Sequence, residues 1–281
     1  MIFILASINR SMRSFTASLL FLLSITGRLA AQSLPKPLPS GLYLQWGYNR
    51  DWYSASDLHF RKGSEYDFIV HHARAKDQPD FSGFRDTPVD ITIPQNSYRI
   101  GCYLNAARTW AIELNFDHAK YVVQDRQVLR VSGQIHGDPI DRDTLVYNHF
   151  VHLEHTNGAN FYHINYMHQQ WLLRTARHRQ LASYLLKAGA GVVIPKSDVT
   201  LFGERLDNVY HVAGYIISAE AGTRIYPLRN LFLEANVKGG FADYRNVLTV
   251  EGGRAYHHFW YAAVVGLVGY DIPFHGRFER H

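Results

Sequence analysis

Two histidine–carboxylate pairs are the residues of this chain best suited to do chemistry. Asp117 precedes His118, and Glu154 precedes His155. Histidine is the usual general base, and a carboxylate commonly orients it. Adjacent residues of a strand point to opposite faces, so neither carboxylate could orient the histidine beside it. A catalytic site would have to be assembled across strands, and its candidate members are Asp51, Asp117, Glu154, His155 and Thr156.

The 16 histidines do not have the spacing of a metal site. His71 and His72 are adjacent, as are His257 and His258, so the side chains of each pair diverge if they lie on a strand. No histidine or cysteine cluster has the spacing of a zinc site, and there is no glycine-rich phosphate loop. We therefore predict neither a metal site nor a bound cofactor.

The segments that must position the polar residues alternate apolar and polar side chains. Four apolar series recur at every second position: Leu42, Leu44, Trp46 and Tyr48; Trp110, Ile112, Leu114 and Phe116; Tyr184, Leu186, Ala188, Ala190 and Val192; and Leu231, Leu233, Ala235 and Val237. This period of two is typical of strands with two unlike faces. In a soluble sandwich the apolar faces pack against each other, whereas in an outer-membrane barrel they meet lipid. Alternation alone leaves both architectures open.

The first 31 residues favour the barrel, because they have the pattern of an export signal. A short basic start at Met12-Arg13 precedes the apolar run 18–26 and the small residues Ala30 and Ala31. The run is too short to cross a bilayer, which needs about 20 apolar residues. We predict a cleaved signal peptide over 1–31, with Met12 as the true start, followed by a proline-rich linker over 32–40.

Composition supports the same choice. The signal carries three arginines and no acid, so the 29 basic residues of the whole chain become 26 in the mature chain, against 24 acidic ones. This balance gives no support for nucleic-acid binding. The single cysteine, Cys102, excludes an intrachain disulfide. Aromatic residues such as Trp46, Trp110 and Trp260 lie near the ends of apolar faces, as interfacial girdles would.

The fold class that we predict is all-β, an antiparallel transmembrane β-barrel of about 12 strands over residues 41–274, with a tail over 275–281. The expected strands are 41–53, 64–76, 86–93, 97–105, 109–122, 126–135, 147–156, 160–171, 181–194, 208–222, 229–242 and 256–271. Ten strands result if the weak segments 86–93 and 126–135 are loops. With the N-terminus in the periplasm, 105–108 is a tight periplasmic turn and 136–146 a long periplasmic link.

The other face of these strands carries charged residues of both signs. Charges enclosed in a narrow barrel must pair, because an unpaired buried charge costs several kcal/mol. We therefore predict a polar network in the lumen, with the members Arg99, Glu113, Asp117, Glu154, Lys187, Glu220, Glu234 and Lys238. Asp67 is expected on the same face.

Four segments carry a resemblance to known proteins: Trp46–Trp52 (WGYNRDW), Ile93–Gly101 (IPQNSYRIG), Asn115–Tyr121 (NFDHAKY) and Glu154–Asn160 (EHTNGAN). They resemble those of an uncharacterised group of bacterial outer-membrane β-barrel proteins, over most of the mature chain. The resemblance implies the barrel and its location, with no established activity. Many barrels end on an aromatic residue, whereas this chain ends Glu279-Arg280-His281.

Two functions remain open at this point. The first is a bacterial outer-membrane barrel with a narrow or plugged lumen, acting in envelope structure, small-solute passage or surface interaction. The second is a lipid hydrolase of the lipid A deacylase or phospholipase type, with a His/carboxylate site at the outer rim. In either case the expected partners are outer-membrane lipid and lipopolysaccharide, and protein partners are left open.

Overall fold

The computed structural model describes residues 39–78, 95–155, 158–176 and 179–274. The signal peptide, most of the linker, the expected strand 86–93, Thr156 and the tail 275–281 lie outside these residues. The described residues form seventeen strands: Gly41–Tyr53 (β1), Ser56–Lys62 (β2), Tyr66–Ala73 (β3), Ala75–Lys76 (β4), Asn96–Tyr103 (β5), Trp110–Asp117 (β6), Tyr121–Val123 (β7), Gln127–Ile135 (β8), Asp138–Val146 (β9), Val151–His155 (β10), Phe161–Arg174 (β11), Gln180–Val193 (β12), Asp198–Leu201 (β13), Glu204–Asp207 (β14), Gly214–Ile225 (β15), Leu231–Leu248 (β16) and Arg254–Pro273 (β17).

A closed ring of eight antiparallel strands is the centre of the molecule, in the order β1-β5-β6-β11-β12-β15-β16-β17. The ring closes where β1 pairs with β17, from Gly41 opposite Pro273 to Tyr53 opposite Tyr261. Closure leaves no unpaired sheet edge along these strands. The all-β antiparallel barrel predicted from the sequence is confirmed. The described residues contain no helix long and apolar enough to cross a bilayer.

The sheet that contains the ring has twelve strands, as the alternation predicted, and eight of them close the barrel. At Arg254–Tyr256, β17 extends beyond the ring and pairs with β2, and the sheet continues through β3 and β8 to β9. The weak segment 126–135 is therefore a real strand, but not a barrel strand. Segment 136–146, expected as a periplasmic link, is instead β9, the hairpin partner of β8.

The two ends of the ring differ in their connections. Short turns over 104–109, 175–179 and 226–230 join strands at one end, and the expected tight turn 105–108 is among them. At the other end of the ring, strands are joined by three long stretches of chain, 54–95, 118–160 and 194–213, of which residues 54–78, 95, 118–155, 158–160 and 194–213 are described. They contain β2, β3, β4, β7, β8, β9, β10, β13 and β14, which we call the cap. The expected strand 147–156 is β10, which lies in the cap.

The cap has a hydrophobic core of its own. Its second sheet has the order β14-β13-β10-β7-β4, and its apolar side chains pack against those of β2, β3 and β8. The same cluster continues into the end of the barrel nearest the cap, through Phe161, Phe259 and Tyr261. Burying the apolar faces of two sheets is the solution of a soluble sandwich, and here it is used outside the ring.

In the ring strands, the apolar face points outward and not into a core. All eight strands have exposed apolar side chains on this outer face, which we call the belt. Large exposed members of the belt include Leu44, Ile100, Leu114, Ile164, Leu186, Ile217, Val237 and Val264. Tyr98, Tyr162 and Tyr215 lie at its cap-side edge, and Tyr270 and Tyr184 lie nearer the short turns. Such a surface has the composition of a lipid-facing barrel wall.

Candidate functional site: the polar lumen and its closed ends

The inward side chains of the ring form a buried ionic network around Lys187. Its ammonium group lies 2.9 Å from Glu113 Oε2 and 2.8 Å from Glu234 Oε1, and all three side chains are inaccessible to solvent. These residues come from β12, β6 and β16, so the contacts cross the lumen. Tyr43 donates a hydrogen bond to Glu113 (2.8 Å), and Gln45 Nε2 donates one to Glu234 (2.8 Å).

Nearer the cap, two further cations hold two carboxylates. Arg99 Nη1 lies 2.7 Å from Glu220 Oε2. Lys238 Nζ lies 2.6 Å from Asp117 Oδ2 and 3.4 Å from Glu220 Oε1. Ser97 also donates to Asp117, at 2.7 Å. Each carboxylate therefore has a cationic partner, and the side chains of all four residues are buried.

At the short-turn end, arginines and aromatic rings close the lumen. Arg224 Nη2 donates to Glu234 Oε2 at 2.6 Å, and its guanidinium lies 4.0 Å from the centre of the Phe232 ring. Arg108 pairs with Asp271 at 2.6 Å, and the Tyr103 hydroxyl donates to the same carboxylate. These groups surround a compact cluster of Tyr43, Tyr103, Ala111, Met167, Trp171, Leu185, Tyr226 and Phe232.

The ion-paired groups of the lumen balance in charge. They are the five cations Arg99, Arg108, Lys187, Arg224 and Lys238 and the five carboxylates Glu113, Asp117, Glu220, Glu234 and Asp271; we call these ten residues the lumen network. Removing two charges from water is expensive, and good geometry with matched partners is what offsets that cost. The lumen network is therefore a set of matched ion pairs that link strands across the lumen.

The structure brings seven of the eight expected network residues together in the lumen. Glu154 is the exception: it lies on β10 in the cap, 3.1 Å from His152 Nε2. Asp67 is likewise outside the lumen, on β3, where it contacts His59 at 2.6 Å. Both lie on alternating strands, but those strands belong to the cap. Sequence reasoning missed three members, Arg108, Arg224 and Asp271.

The cap end of the lumen is closed by aromatic rings and a pair of buried histidines. His155 Nε2 lies 3.2 Å from His257 Nε2, and His155 Nδ1 is hydrogen-bonded to the Ser197 hydroxyl at 2.8 Å. Both imidazoles stack on the Tyr244 ring, at 5.0 and 4.6 Å between ring centres. Tyr121 packs beside them. Burial lowers the pKa of His155 to about 3, so this histidine is neutral at physiological pH.

The catalytic candidates do not form one site. Asp51 and Asp117 lie in the part of the lumen nearest the cap. Asp51 accepts a hydrogen bond from Gln95 (3.1 Å), and Asp117 accepts one from Lys238. His155 is in the cap, and its described ring contacts do not include either carboxylate. Glu154 faces His152 rather than His155, as expected for neighbours on a strand. Thr156 lies outside the described residues.

The Ser197–His155 contact was not anticipated from the sequence, since Ser197 lies in the loop before β13 without a motif. The Ser197 side chain is 2 % exposed and the His155 side chain is fully buried. A substrate has no access to a pair buried in this way. Among the described residues, no group of three or more His, Cys, Asp or Glu residues is arranged to hold a metal ion.

A groove of about 450 Å³ lies on the outside of the barrel rather than in the lumen. It runs over β1, β5, β16 and β17, and its lining is almost entirely apolar: Leu44, Trp46, Tyr98, Ile100, Leu231, Val268 and Tyr270, with the backbone of Gln45, Arg99 and Gly269. The groove belongs to the belt and faces the same surroundings.

No protein-family model and no curated protein matches the sequence. The chain is similar in structure to the surface protein NspA of Neisseria, with 10% identity, 83% of this chain and 98% of the other covered, and a TM-score of 0.35. It is also similar to the attachment invasion locus protein Ail of Yersinia pestis, with 9% identity, 82% and 99% covered, and a TM-score of 0.30. For the outer membrane protein OprG of Pseudomonas aeruginosa, the values are 9% identity, 84% and 98% covered, and 0.36. Likeness at this level says nothing about activity or partners.

Proposed function

We propose that this chain spans the bacterial outer membrane as a non-conducting barrel that displays its folded cap at the cell surface for interaction. The observation that carries the proposal is the lumen network, enclosed between two buried aromatic clusters. Surface interaction is favoured over small-solute passage because the polar interior is occupied by side chains that hold one another in place.

The belt supports the membrane part of the proposal. Exposed apolar side chains such as Leu114 (56%), Ile164 (62%) and Val237 (64%) have no partner in a soluble molecule. Apolar surface in water costs roughly 25 cal/mol per Å², and that cost disappears in a bilayer core. Outer-membrane lipid and lipopolysaccharide are the molecules that such a wall would meet.

The connections support the orientation. Bacterial barrels have short turns on the periplasmic side and longer loops outside. The turns 104–109, 175–179 and 226–230 are short, whereas the cap is built from three long connections. The cap would therefore lie on the cell surface. The resemblance to uncharacterised outer-membrane barrels agrees with this placement, and membership of that group is part of the proposal, as is cleavage of residues 1–31.

The lipid-hydrolase alternative is not favoured, because Asp51, Asp117 and His155 are buried and because Glu154, His155 and the lumen carboxylates face different surroundings. Of the functions that the sequence left open, we therefore favour the closed barrel that acts in surface interaction.

Planar-bilayer recording tests the central claim. We expect the purified, folded protein to give no steady conductance steps, because ions would have to displace paired charges and two aromatic clusters. Protease treatment of the same protein in liposomes serves as the control, since recovery of a protected barrel fragment shows that the silent protein was inserted. Reproducible open-channel steps from inserted protein would overturn the plugged barrel.

A further inference from the structure

An exposed apolar segment lies at the cap-side edge of the belt, between β14 and β15. Val209 is 71% exposed, Tyr210 60% and Val212 55%, and Leu206, at the end of β14, is 41% exposed. Most apolar side chains of the cap pack into a shared core, and besides these four the exposed ones include Val128, Leu145 and Tyr147. We call residues 206–212 the rim segment.

The rim segment is held in place by its backbone. The Asn208 N–H donates to Ser197 O at 2.9 Å, and the His211 N–H donates to Pro195 O at 3.3 Å. The Asn246 side chain contacts His211 Nε2 at 2.8 Å. Asn208 is 7% exposed, so the buried positions fix the segment while Val209, Tyr210 and Val212 point away from the protein.

The surroundings of the rim segment identify what covers it. It leads directly into β15, whose outward Tyr215 belongs to the edge of the belt. Ion pairs flank it, with Lys196 Nζ 2.8 Å from Asp207 and Arg245 Nε 2.8 Å from Asp243. Apolar side chains with a tyrosine, beside charged groups and continuous with a lipid-facing wall, are the composition of a membrane interface.

We propose that the rim segment inserts into the outer leaflet, at the boundary between head groups and acyl chains, and so anchors the cap to lipid outside the barrel strands. The proposal rests on the proposed function, since it needs a barrel that spans a membrane. A second copy of the chain, which could also cover an apolar segment, is the competing occupant, but continuity with the belt favours lipid.

Spin-label accessibility tests this in phosphatidylcholine vesicles. The single cysteine allows a clean background in Cys102→Ser, into which Val209→Cys, Val128→Cys or Val237→Cys is introduced for nitroxide labelling. Val128, on cap strand β8, is 70% exposed and so matches Val209 in exposure, whereas Val237 at 64% lies in the belt. Collision rates with oxygen, which partitions into lipid, and with a water-soluble nickel chelate are then compared.

We expect the oxygen-to-nickel ratio of the Val209 label to exceed that of the Val128 label severalfold and to approach that of the Val237 label. A Val209 ratio equal to the Val128 ratio overturns the anchor while a high Val237 ratio leaves the spanning barrel intact. A low ratio at Val237 as well would instead remove the membrane barrel itself. Short-range dipolar broadening between Val209 labels, insensitive to dilution with lipid, would assign the segment to a second copy and overturn lipid as its occupant.

Discussion

Lys187 donates three hydrogen bonds to carboxylate oxygens of the lumen network. Its ammonium group reaches both oxygens of Glu113, at 3.2 and 2.9 Å, and one oxygen of Glu234. A buried ion pair is weak evidence for net stability, because desolvation offsets much of the attraction. Loss of one member has a much clearer effect, since the carboxylates that remain cannot be rehydrated in a closed lumen.

The Lys187→Met variant isolates this effect. Methionine keeps much of the length of the lysine side chain but removes its charge, leaving Glu113 and Glu234 short of positive charge. We expect the barrel to be destabilised by about 3–5 kcal/mol, the usual cost of breaking a buried pair. Urea unfolding in lipid vesicles, followed by the gel shift between folded and unfolded barrel, measures the change.

Lys196→Met is the matched control. Lys196 also makes an ion pair, at 2.8 Å to Asp207, but this pair is at the surface of the cap. Exposed pairs are screened by solvent and contribute little, so we expect this variant to unfold like the parent protein. Equal stability of the two lysine variants would show that the lumen admits enough water to solvate its carboxylates.

His155 makes the stability of the cap depend on pH. Burial lowers the pKa of His155 to about 3 in the folded protein, whereas an exposed histidine has a pKa near about 6.5. Protons therefore bind the unfolded cap more readily, and the contribution of neutral His155 is complete above the unfolded pKa and lost as pH falls from there toward 3. The protection factors of β7, β10 and β13, which compare the observed exchange rate with the intrinsic rate at the same pH, should fall between neutral pH and pH about 4.

His155→Phe removes the titrating ring and retains an aromatic neighbour for Tyr244. We expect the protection factors of the cap strands in this variant to depend less steeply on pH. Some dependence should remain, because His257, whose Nε2 lies 3.2 Å from His155 Nε2 in the parent protein, is still present. An unchanged pH dependence in this variant would mean that His155 is not the group that couples protons to cap folding.

Most members of the lumen network were predictable at the residue level where the strand limits were right, although Asp271 was missed at the last position of the expected strand 256–271. Arg99, Lys187 and Lys238 follow from alternation and from the requirement that enclosed charges pair. Arg224 was missed because β15 extends to Ile225, beyond the expected end at 222. The Ser197–His155 contact was beyond prediction, because it depends on how a loop packs and not on a period.

At the level of the strands, the seam between β1 and β17 depends on one glycine. A Cβ atom placed on Gly47 would lie 1.9 Å from the carbonyl oxygen of Gly266, which is backbone of the facing strand and cannot rotate away. Gly266 itself points outward, and a Cβ atom there would meet no atom within 4 Å. Gly266 pairs with Tyr48, the residue after Gly47, so the two glycines lie on opposite faces of the sheet and only Gly47 faces the crowded interior.

Gly47→Ala should therefore loosen the closure of the ring, whereas Gly266→Ala should be tolerated. Overpacking of this kind costs about 1–3 kcal/mol, and for Gly47 the strain falls on β1–β17 pairing. The measurement is the fraction of each variant that folds into lipid vesicles and resists unfolding in detergent on a cold gel. Equal folding of both alanine variants would contradict the close approach at the seam.

The strands also show the limit of prediction from periodicity. Strands β3 and β8 alternate apolar and polar residues as the ring strands do, and both were predicted as strands, whereas β2 and β9 of the same sheet were not. Which strands close the ring was not predictable, because pairing between β1 and β5 spans the whole of β2 to β4. Register and ring membership depend on contacts distant in the chain, which a single sequence does not contain.

At the scale of the whole molecule, one sequence pattern has two opposite outcomes. In the cap, alternating apolar residues such as Phe68 face inward and are fully buried, whereas in the ring Val237 faces outward and is 64% exposed. The cap therefore needs its own core to fold, and the ring needs a bilayer. Because the cap is stabilised by its own core and the ring by the bilayer, a substitution that unfolds the cap core should leave the ring strands folded.

Phe68→Ala tests this separation. Phe68 stacks on Phe60 at 5.3 Å between ring centres and contacts Phe202 and Phe150. Truncation of a buried phenylalanine costs about 3–5 kcal/mol, enough to unfold a small subdomain. We expect protease added outside lipid vesicles to cleave this variant within the cap while the ring strands stay protected.

Val128→Ala, which shortens an exposed side chain of the same sheet, should resist cleavage like the parent. If Phe68→Ala instead exposes the ring strands to protease as well, the barrel depends on the cap for its fold, and the two parts form one cooperative unit through the cluster shared at Phe161 and Phe259.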